Sequence, residues 1–228
     1  MRDGLSVVIP AYNAATTLPN VIRDVVAIMK KEPYEIIVCN DGSQDATSVI
    51  LNGLMRQTHQ LRIVSHKTNK GIRDALEDLY AEARYPWVIS FPADEECCAE
   101  DILKLYERRN AYDVVIGYRG LNKHPSFLRN MISFLYRFSV QALFGINTYD
   151  PGSMKLIRRD SIQNIPIISH SVFNEAERII RIHRAGGKIG FIPITYIPKR
   201  FPQKKMSSVL KDAWLSFKDL VALKKSLG

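Results

Sequence analysis

Apolar and polar positions alternate in short blocks through the first hundred residues. The runs "LSVVIP" (5–10), "EIIVCN" (35–40), "LRIVSH" (61–66) and residues 87–91 are brief and rich in β-branched side chains, and each predicts a strand. Between them, 17–31, 45–57 and 71–84 predict helices; the first carries Leu18, Val21, Val25 and Ile28 on one face. Strand–helix alternation at this pitch predicts an α/β fold with a mostly parallel central sheet, right-handed crossovers and flanking helices. Ligands of such sheets bind outside the carboxyl ends of the strands. Three of those ends carry polar or special residues, "PAYN", "NDGS" and "PADEE", so three loops are expected to converge on one crevice.

After Asn110 the pattern changes. "DVVIGYR" (113–119) predicts a further strand, and 126–144 a long helix rich in Phe, Leu and Met. A turn, "NTYDPGS", leads into "MKLIRR"; a helix near 172–185, a strand within "KIGFIPITYI" and a basic tail follow. With 228 residues, 46% hydrophobic and 24% charged, the chain suits one α/β domain or a domain with a small appendage. No run approaches the ~18 uninterrupted apolar residues of a membrane span, and the N-terminal stretch is expected to carry no signal peptide. Cys39, Cys97 and Cys98 show no disulfide or metal-site spacing and read as reduced thiols.

Charge divides the chain in two. Residues 1–100 hold 10 Lys/Arg against 14 Asp/Glu; residues 101–228 hold 22 against 9. A basic second half points to an anionic partner, whether nucleic acid, membrane surface or phosphorylated substrate, or to a solvated basic face. Nucleic acid is disfavoured, because the aromatics lie mostly on apolar faces and no RRM, helix-turn-helix or zinc motif is present.

The strand ends hold the candidate chemistry. In "NDGSQDAT", Asp41 closes a strand, Gly42 permits a close turn, and Ser43 or Asp45 can cap the next helix; a capped turn and a ligand contact both fit. Asp94, Glu95 and Glu96 are hard oxygen donors suited to Mg²⁺ or Mn²⁺ carried with a diphosphate, or alternatively acids that complement the dipole of a helix over 99–109. No G-x-G-x-x-G follows the first strand, and there is no P-loop, H-E-x-x-H or paired C-x-x-C.

Taken in order, "VVIPAYN", "EIIVCNDGSQDAT", "NKGIRDAL" and "ISFPADEE" resemble the family-2 glycosyltransferases with a GT-A (Rossmann-like nucleotide-diphospho-sugar transferase) fold. "FLRNMIS", "DPGSMKLIRR", "FNEAERIIRIHRAGGKI" and "RFPQKKMSS" are similar to the subgroup of dolichol-phosphate mannose synthase and bacterial polyprenyl-phosphate glycosyltransferases. The resemblance implies that Pro10, Ala11, Tyr12, Asn13, Asp41, Gly42, Ser43 and Gly71 hold the nucleotide-sugar. It implies that Asp94 ligates Mg²⁺ or Mn²⁺ with Glu96 in support, and that Asp150 borders the sugar or acceptor, both Asp94 and Asp150 being counted as catalytic. Arg119, Arg129, Arg200 and Lys205, with Glu177, are expected around the acceptor and the leaving diphosphate. The chain departs from the family at Ala14, Asn40 and Pro92, the last standing where the first metal-motif acid is usual.

The expected activity is inverting transfer of a sugar from a UDP- or GDP-linked donor to a polyprenyl (dolichyl or undecaprenyl) phosphate. The alternatives are transfer to a hydroxyl acceptor in glycan synthesis and a non-catalytic basic binding module. The expected organisation is a catalytic domain over 1–208, with a nucleotide-sugar half (1–100) and an acceptor half (101–208), followed by an amphipathic basic helix over 209–228. In that tail Leu210, Trp214, Phe217 and Val221 align with Lys211 and Lys218 elsewhere; in the 126–144 helix Phe127, Met131, Leu135 and Phe138 align. Such stripes fit either packing or an anionic membrane surface. The expected location is cytoplasmic, peripheral to the membrane, with anchoring supplied by the tail or a membrane partner protein.

Overall fold

The computed structural model describes residues 3–119, 127–146, 153–163, 165–197 and 206–228. The elements run β1 (Leu5–Ala11), α1 (Leu18–Ile28), β2 (Tyr34–Asp41), α2 (Thr47–Gln57), β3 (Leu61–His66), α3 (Ile72–Glu82), β4 (Trp87–Ser90), α4 (Glu100–Tyr106), β5 (Val114–Tyr118), α5 (Phe127–Phe144), β6 (Lys155–Arg158), α6 (Arg159–Gln163), α7 (Asn174–Arg184), β7 (Ile189–Pro193) and α8 (Met206–Leu227). The strands form one sheet in the order β3-β2-β1-β4-β6-β5-β7.

Each strand shows side chains alternately to two helix layers. Val7, Ile9, Ile36, Val38, Ile89, Val115 and Leu156 meet α1, α2 and α4 on one face. Val8, Ile37, Cys39, Val88, Val114, Ile116 and Ile157 meet α3, α5, α6, α7 and α8 on the other. Burial on both faces explains why β1, β2 and β5 read as nearly unbroken apolar runs.

Pairing is parallel everywhere except at β6, which runs antiparallel to β4 (Trp87↔Arg158) and to β5 (Val114↔Ile157). Sequence patterning left "MKLIRR" unassigned, and the reason is physical. Four residues are too few to display a period, and Lys155 within them is buried and ion-paired rather than exposed. The five-residue helix α6 was likewise too short to register.

From β1 the chain winds outward through β2 to β3, then returns so that β4 lies on β1's other side, in register Leu5↔Trp87. The carboxyl ends of β1 and β4 therefore flank the topological switch point, where open α/β sheets bind ligands. Helix α8 is no detached appendage: Ser216, Leu220 and Leu223 are buried, and Asp219 Oδ2 accepts from Ser171 N at 2.8 Å.

Candidate active site

The loops after β1 and β2 are laced together by their own side chains. Asn13 adopts a left-handed backbone (φ 51°), from which its N–H donates to Ser43 Oγ at 3.0 Å while its Oδ1 accepts from Gln44 N at 2.9 Å. Ala14 N donates to Thr47 Oγ1 at 2.8 Å, and Asp45 accepts from Ala15 N and Thr47 N. Of the two cap candidates, Asp45 thus closes the start of α2 and Ser43 bridges the loops. Pro10 and Ala11 end β1 opposite Cys39 and Asn40. Tyr12 stands 47% exposed at the mouth, an aromatic face available to a flat ring.

Asp41 fastens the third loop. Its side chain is buried, and its two oxygens accept from Lys70 N and Gly71 N, each at 2.8 Å. Gly42 lies against the same loop, at φ 65°; a Cβ there would fall 2.4 Å from the carbonyl carbon of Thr68. Only glycine permits that approach. Gly71, at φ 93°, then opens α3. Burial alone would raise the Asp41 pKa, but hydrogen bonds from His66, Lys70 N and Gly71 N outweigh it and hold the carboxyl below its ordinary value. His66, with Asp78 behind it, was not foreseen. The parallel register sets Asp41 opposite His66, but only packing of α3 brings Asp78 to the ring.

The acidic loop occupies the other side of the crevice. Asp94, Glu95 and Glu96 are all half-buried. Asp94 Oδ1 accepts from Glu96 N at 3.0 Å, and Glu95, at φ 58°, accepts from Asn20 Nδ2 of α1 at 2.8 Å. A non-glycine residue held left-handed beside a crevice is strain of the kind that gathers at functional sites. Further along the chain, the first turn of α4 carries acids of its own, Glu100 and Asp101.

The segment after β7 is stitched onto this loop. Cys97 bridges to Tyr196, and Ile197 N donates to Glu96 O at 2.9 Å. Arg119, just past β5, lies over the Tyr196 ring at 5.2 Å. Burial pushes the Tyr196 hydroxyl pKa up, and the adjacent Glu96 charge adds to the shift. Burial likewise takes the Cys97 thiol up to about 12; Arg119 opposes that rise, while Asp94 and Glu96 favour it. Asp94, Glu96, Arg119 and Tyr196 are thus electrostatic neighbours. Tyr196 carried no sequence signal, because its contact depends on β7 running beside β5.

Among the described residues no group of three His, Cys, Asp or Glu side chains surrounds a common point. The donor set is one or two carboxylates with hard oxygens. That fits a divalent ion held largely by ligand phosphates and water, as Mg²⁺ commonly is, and not an all-protein cage.

Glu177 sits elsewhere. It is fully buried in α7, where its oxygens accept from Ile168 N at 3.1 Å, Ser169 N at 2.8 Å, Ser169 Oγ and Arg181 Nε. It holds the turn that presents His170 to Val172 to the start of α3, across a cavity of about 280 Å³ lined also by Lys70, Arg73 and Asp74. Asp150, Arg200 and Lys205, and the side chain of Arg129, lie outside the described residues.

Residues 6–165 match the model of Glycosyl transferase family 2. The chain belongs to that family. The dodecaprenyl-phosphate galacturonate synthase of Rhizobium johnstonii is 27% identical over 84% of this chain and 58% of its own length. The undecaprenyl-phosphate 4-deoxy-4-formamido-L-arabinose transferase of Pseudomonas paraeruginosa is 32% identical over 70% of this chain and 48% of its own. The chain therefore spans about half the length of these two relatives. Glucosyl-3-phosphoglycerate synthase from Mycobacterium tuberculosis, crystallised with Mn²⁺, UDP and phosphoglyceric acid, superposes with a TM-score of 0.78 at 16% identity, over 97% of this chain and 78% of that one. The fold is that of a GT-A glycosyltransferase. Within family 2, the sheet's switch point and the loops around it coincide with the stretch matched.

Proposed function

We propose that this chain is the catalytic unit of an inverting glycosyltransferase that moves a sugar from a nucleoside-diphosphate donor to a polyprenyl phosphate at the cytoplasmic face of a membrane. One observation carries the reading: half-buried acids lie at the sheet's switch point, and an arginine stacked over Tyr196 acts on the same loop, opposing their charge at Cys97. That pairing suits a substrate bringing both a metal-bound diphosphate and free anionic oxygens. The names of the two polyprenyl-phosphate relatives favour the lipid acceptor over a hydroxyl acceptor.

In this reading Tyr12 offers its face to the nucleobase, and the Asn13–Ser43 lacing with the Asp41-anchored loop shapes the floor beneath base and ribose. Asp94, with Glu96 beside it, would hold the Mg²⁺ or Mn²⁺, which when bound neutralises charge developing on the leaving diphosphate. Arg119 contributes a fixed positive charge for phosphate oxygens. A lipid phosphate is already anionic near neutral pH, so the protein's task is to orient it and balance its charge. Asp150, Arg129, Arg200 and Lys205 keep their proposed roles around the acceptor.

Membrane association is proposed from the outer helices. Leu210, Trp214, Phe217 and Val221 of α8 and Met131, Leu135 and Phe138 of α5 are all exposed, Phe138 by 64% and Trp214 by 58%. Lys218 lies over the Trp214 ring at 5.3 Å, where it can meet a headgroup while the indole enters the interface. No helix among the described residues is long and apolar enough to cross a membrane. Attachment of these helices along the surface, or through a partner protein, is the mode proposed.

Calorimetric titration with UDP and with GDP, each with Mn²⁺, Mg²⁺ or EDTA, tests the donor site. Metal-dependent binding of one nucleotide is expected, and Asp94→Ala should remove that dependence while leaving the thermal transition in place. Equal binding with EDTA would remove the metal from the reading. Turnover with a simple alcohol but not with a polyprenyl phosphate would move it to the hydroxyl-acceptor class.

A further inference from the structure

His66 closes β3 and lies between two carboxylates. Its Nδ1 is 2.6 Å from Asp41 Oδ1 and its Nε2 is 2.7 Å from Asp78 Oδ2. The ring is 3% exposed, as against 48% for the Asp78 side chain. Asp41 already accepts from Lys70 N and Gly71 N, so it is an ionised acceptor on both oxygens. Two ring contacts to acceptors require two N–H donors, and only the doubly protonated imidazolium has both.

The groups facing the ring are few. Asp41 and Cys39 come from β2, Asp78 from α3 and Lys70 from the intervening loop. Cys39 Sγ lies 3.8 Å from Nε2, and burial, reinforced by Asp41 and Asp78, takes this thiol up to about 12, so it stays neutral. Lys70 Nζ is 3.9 Å from Asp78, leaving that carboxylate shared between two cations. Burial works against charge on the ring, but the bonds to Asp41 and Asp78 outweigh it and raise the His66 pKa.

We propose that His66 is a positioning residue: as an imidazolium clamped between Asp41 and Asp78, it orders the Lys70–Gly71 loop through Asp41 and so couples that loop, and nucleotide binding on it, to pH. The nucleotide half of this statement rests on the donor-site reading above; the coupling of ring to loop does not. Loss of the proton leaves one N–H for two acceptors. Asp41 then loses its buried counter-ion or Asp78 loses its bond, and the loop is held by fewer charge-assisted contacts.

Two measurements separate these halves. Nitrogen-15 NMR of the histidine rings follows His66 protonation in the nucleotide-free protein, while hydrogen exchange, normalised for intrinsic base catalysis, follows the Lys70 and Gly71 amides. The expected result is a His66 that remains an imidazolium through pH 6.5, with both amides losing protection at the same midpoint. A ring already neutral at pH 6, or amide protection that ignores pH from 6 to 9, overturns the proposal. In parallel, UDP and GDP are titrated calorimetrically at pH 6 and pH 9. The nucleotide that binds should lose about tenfold in affinity, the equivalent of one pKa unit. Asp78→Asn should move the midpoint to lower pH, and His66→Gln should bind weakly and without pH dependence. Coupled ring and amide titrations without binding of either nucleotide would support the role of His66 and overturn the donor-site reading instead. Binding of one nucleotide with pH-independent affinity would overturn the link between His66 and the ligand.

Discussion

Two buried charge clusters flank the sheet's centre, and they are built from similar parts to opposite ends. At the β2–β3 edge, Asp41 and His66 hold a loop of the crevice through its backbone N–H groups. On the α3–α7 face of the sheet, Arg178 lies over the Tyr80 ring at 4.7 Å and pairs with Glu77 and Glu175; Lys155 Nζ reaches Glu175 at 3.2 Å, and Tyr80 donates to it at 3.0 Å. The second cluster ties β6 and α7 to α3. A buried carboxylate therefore says little about function by itself. What distinguishes Asp41 is that its hydrogen bonds end on a loop that opens to solvent, whereas those of Glu175 end on the core.

The sharpest way to break this comparison is to remove the arginine. Arg178→Met leaves Glu77 and Glu175 without their shared cation, and stripping one partner from a buried pair costs about 3–5 kcal/mol. Urea denaturation should register that loss, while nucleotide affinity per folded molecule stays as it was. A large fall in affinity at unchanged stability would show that the two clusters are not separate.

Gly42→Ala attacks the other side. The substitution combines a left-handed backbone with a collision against Thr68 and Asn69, and such strain costs on the order of 1–3 kcal/mol. Its main effect is expected on nucleotide binding, because the loops after β2 and β3 must part to admit the methyl group. Preserved affinity would mean that the crevice tolerates their separation.

The smallest effect is the response to pH, and it has opposite signs at its two ends. The folded pKa of His66 is raised, so its contribution is complete below about pH 6.5 and fades as the pH rises through the raised value. That of Asp41 is lowered, so its contribution is complete above about pH 4 and fades as the pH falls through the lowered value. Burial pulls Glu175 upward, but Lys155 and Arg178 bring it below its ordinary value, so its contribution fades on the acid side; burial raises Glu77, whose contribution has the opposite sign. Between pH 6 and 9 the wild type should therefore lose about 1.4 kcal/mol per unit of His66 shift, read as a lowered thermal midpoint. His66→Gln should remove that slope, and Arg178→Met should leave it in place.

Much of the donor half was legible because local pattern and tertiary role coincide there. β1 to β4 and α1 to α3 fall within three residues of their expected limits, and "NDGSQDAT" announced both Gly42 and the Asp45 contact at the start of α2. The acceptor half was less legible. β6 is too short to show a period, and Lys155 breaks its apolar run for the sake of Glu175. Glu177, expected beside the acceptor, anchors a turn from inside the core. The apolar stripes on α5 and α8 follow from helical spacing, but that spacing could not say which side would remain exposed. Leu220 and Leu223 face the core while Trp214 and Phe217 face outward.

The order of residues by itself determined the alternation of strands and helices, the parallel sense of most pairs and the placing of acids and glycines at strand ends. These follow from short-range sterics, side-chain periodicity and the handedness of crossovers. Tertiary structure alone decided that β6 would run backwards between β4 and β5, that Asp78 would reach His66, and that Tyr196 and Arg119 would close on the acidic loop. Those contacts join residues 12 to 100 positions apart in the chain, and no local pattern encodes a partner at that distance. They form because packing two helix layers on one twisted sheet leaves each buried polar group only a few neighbours with which to pair.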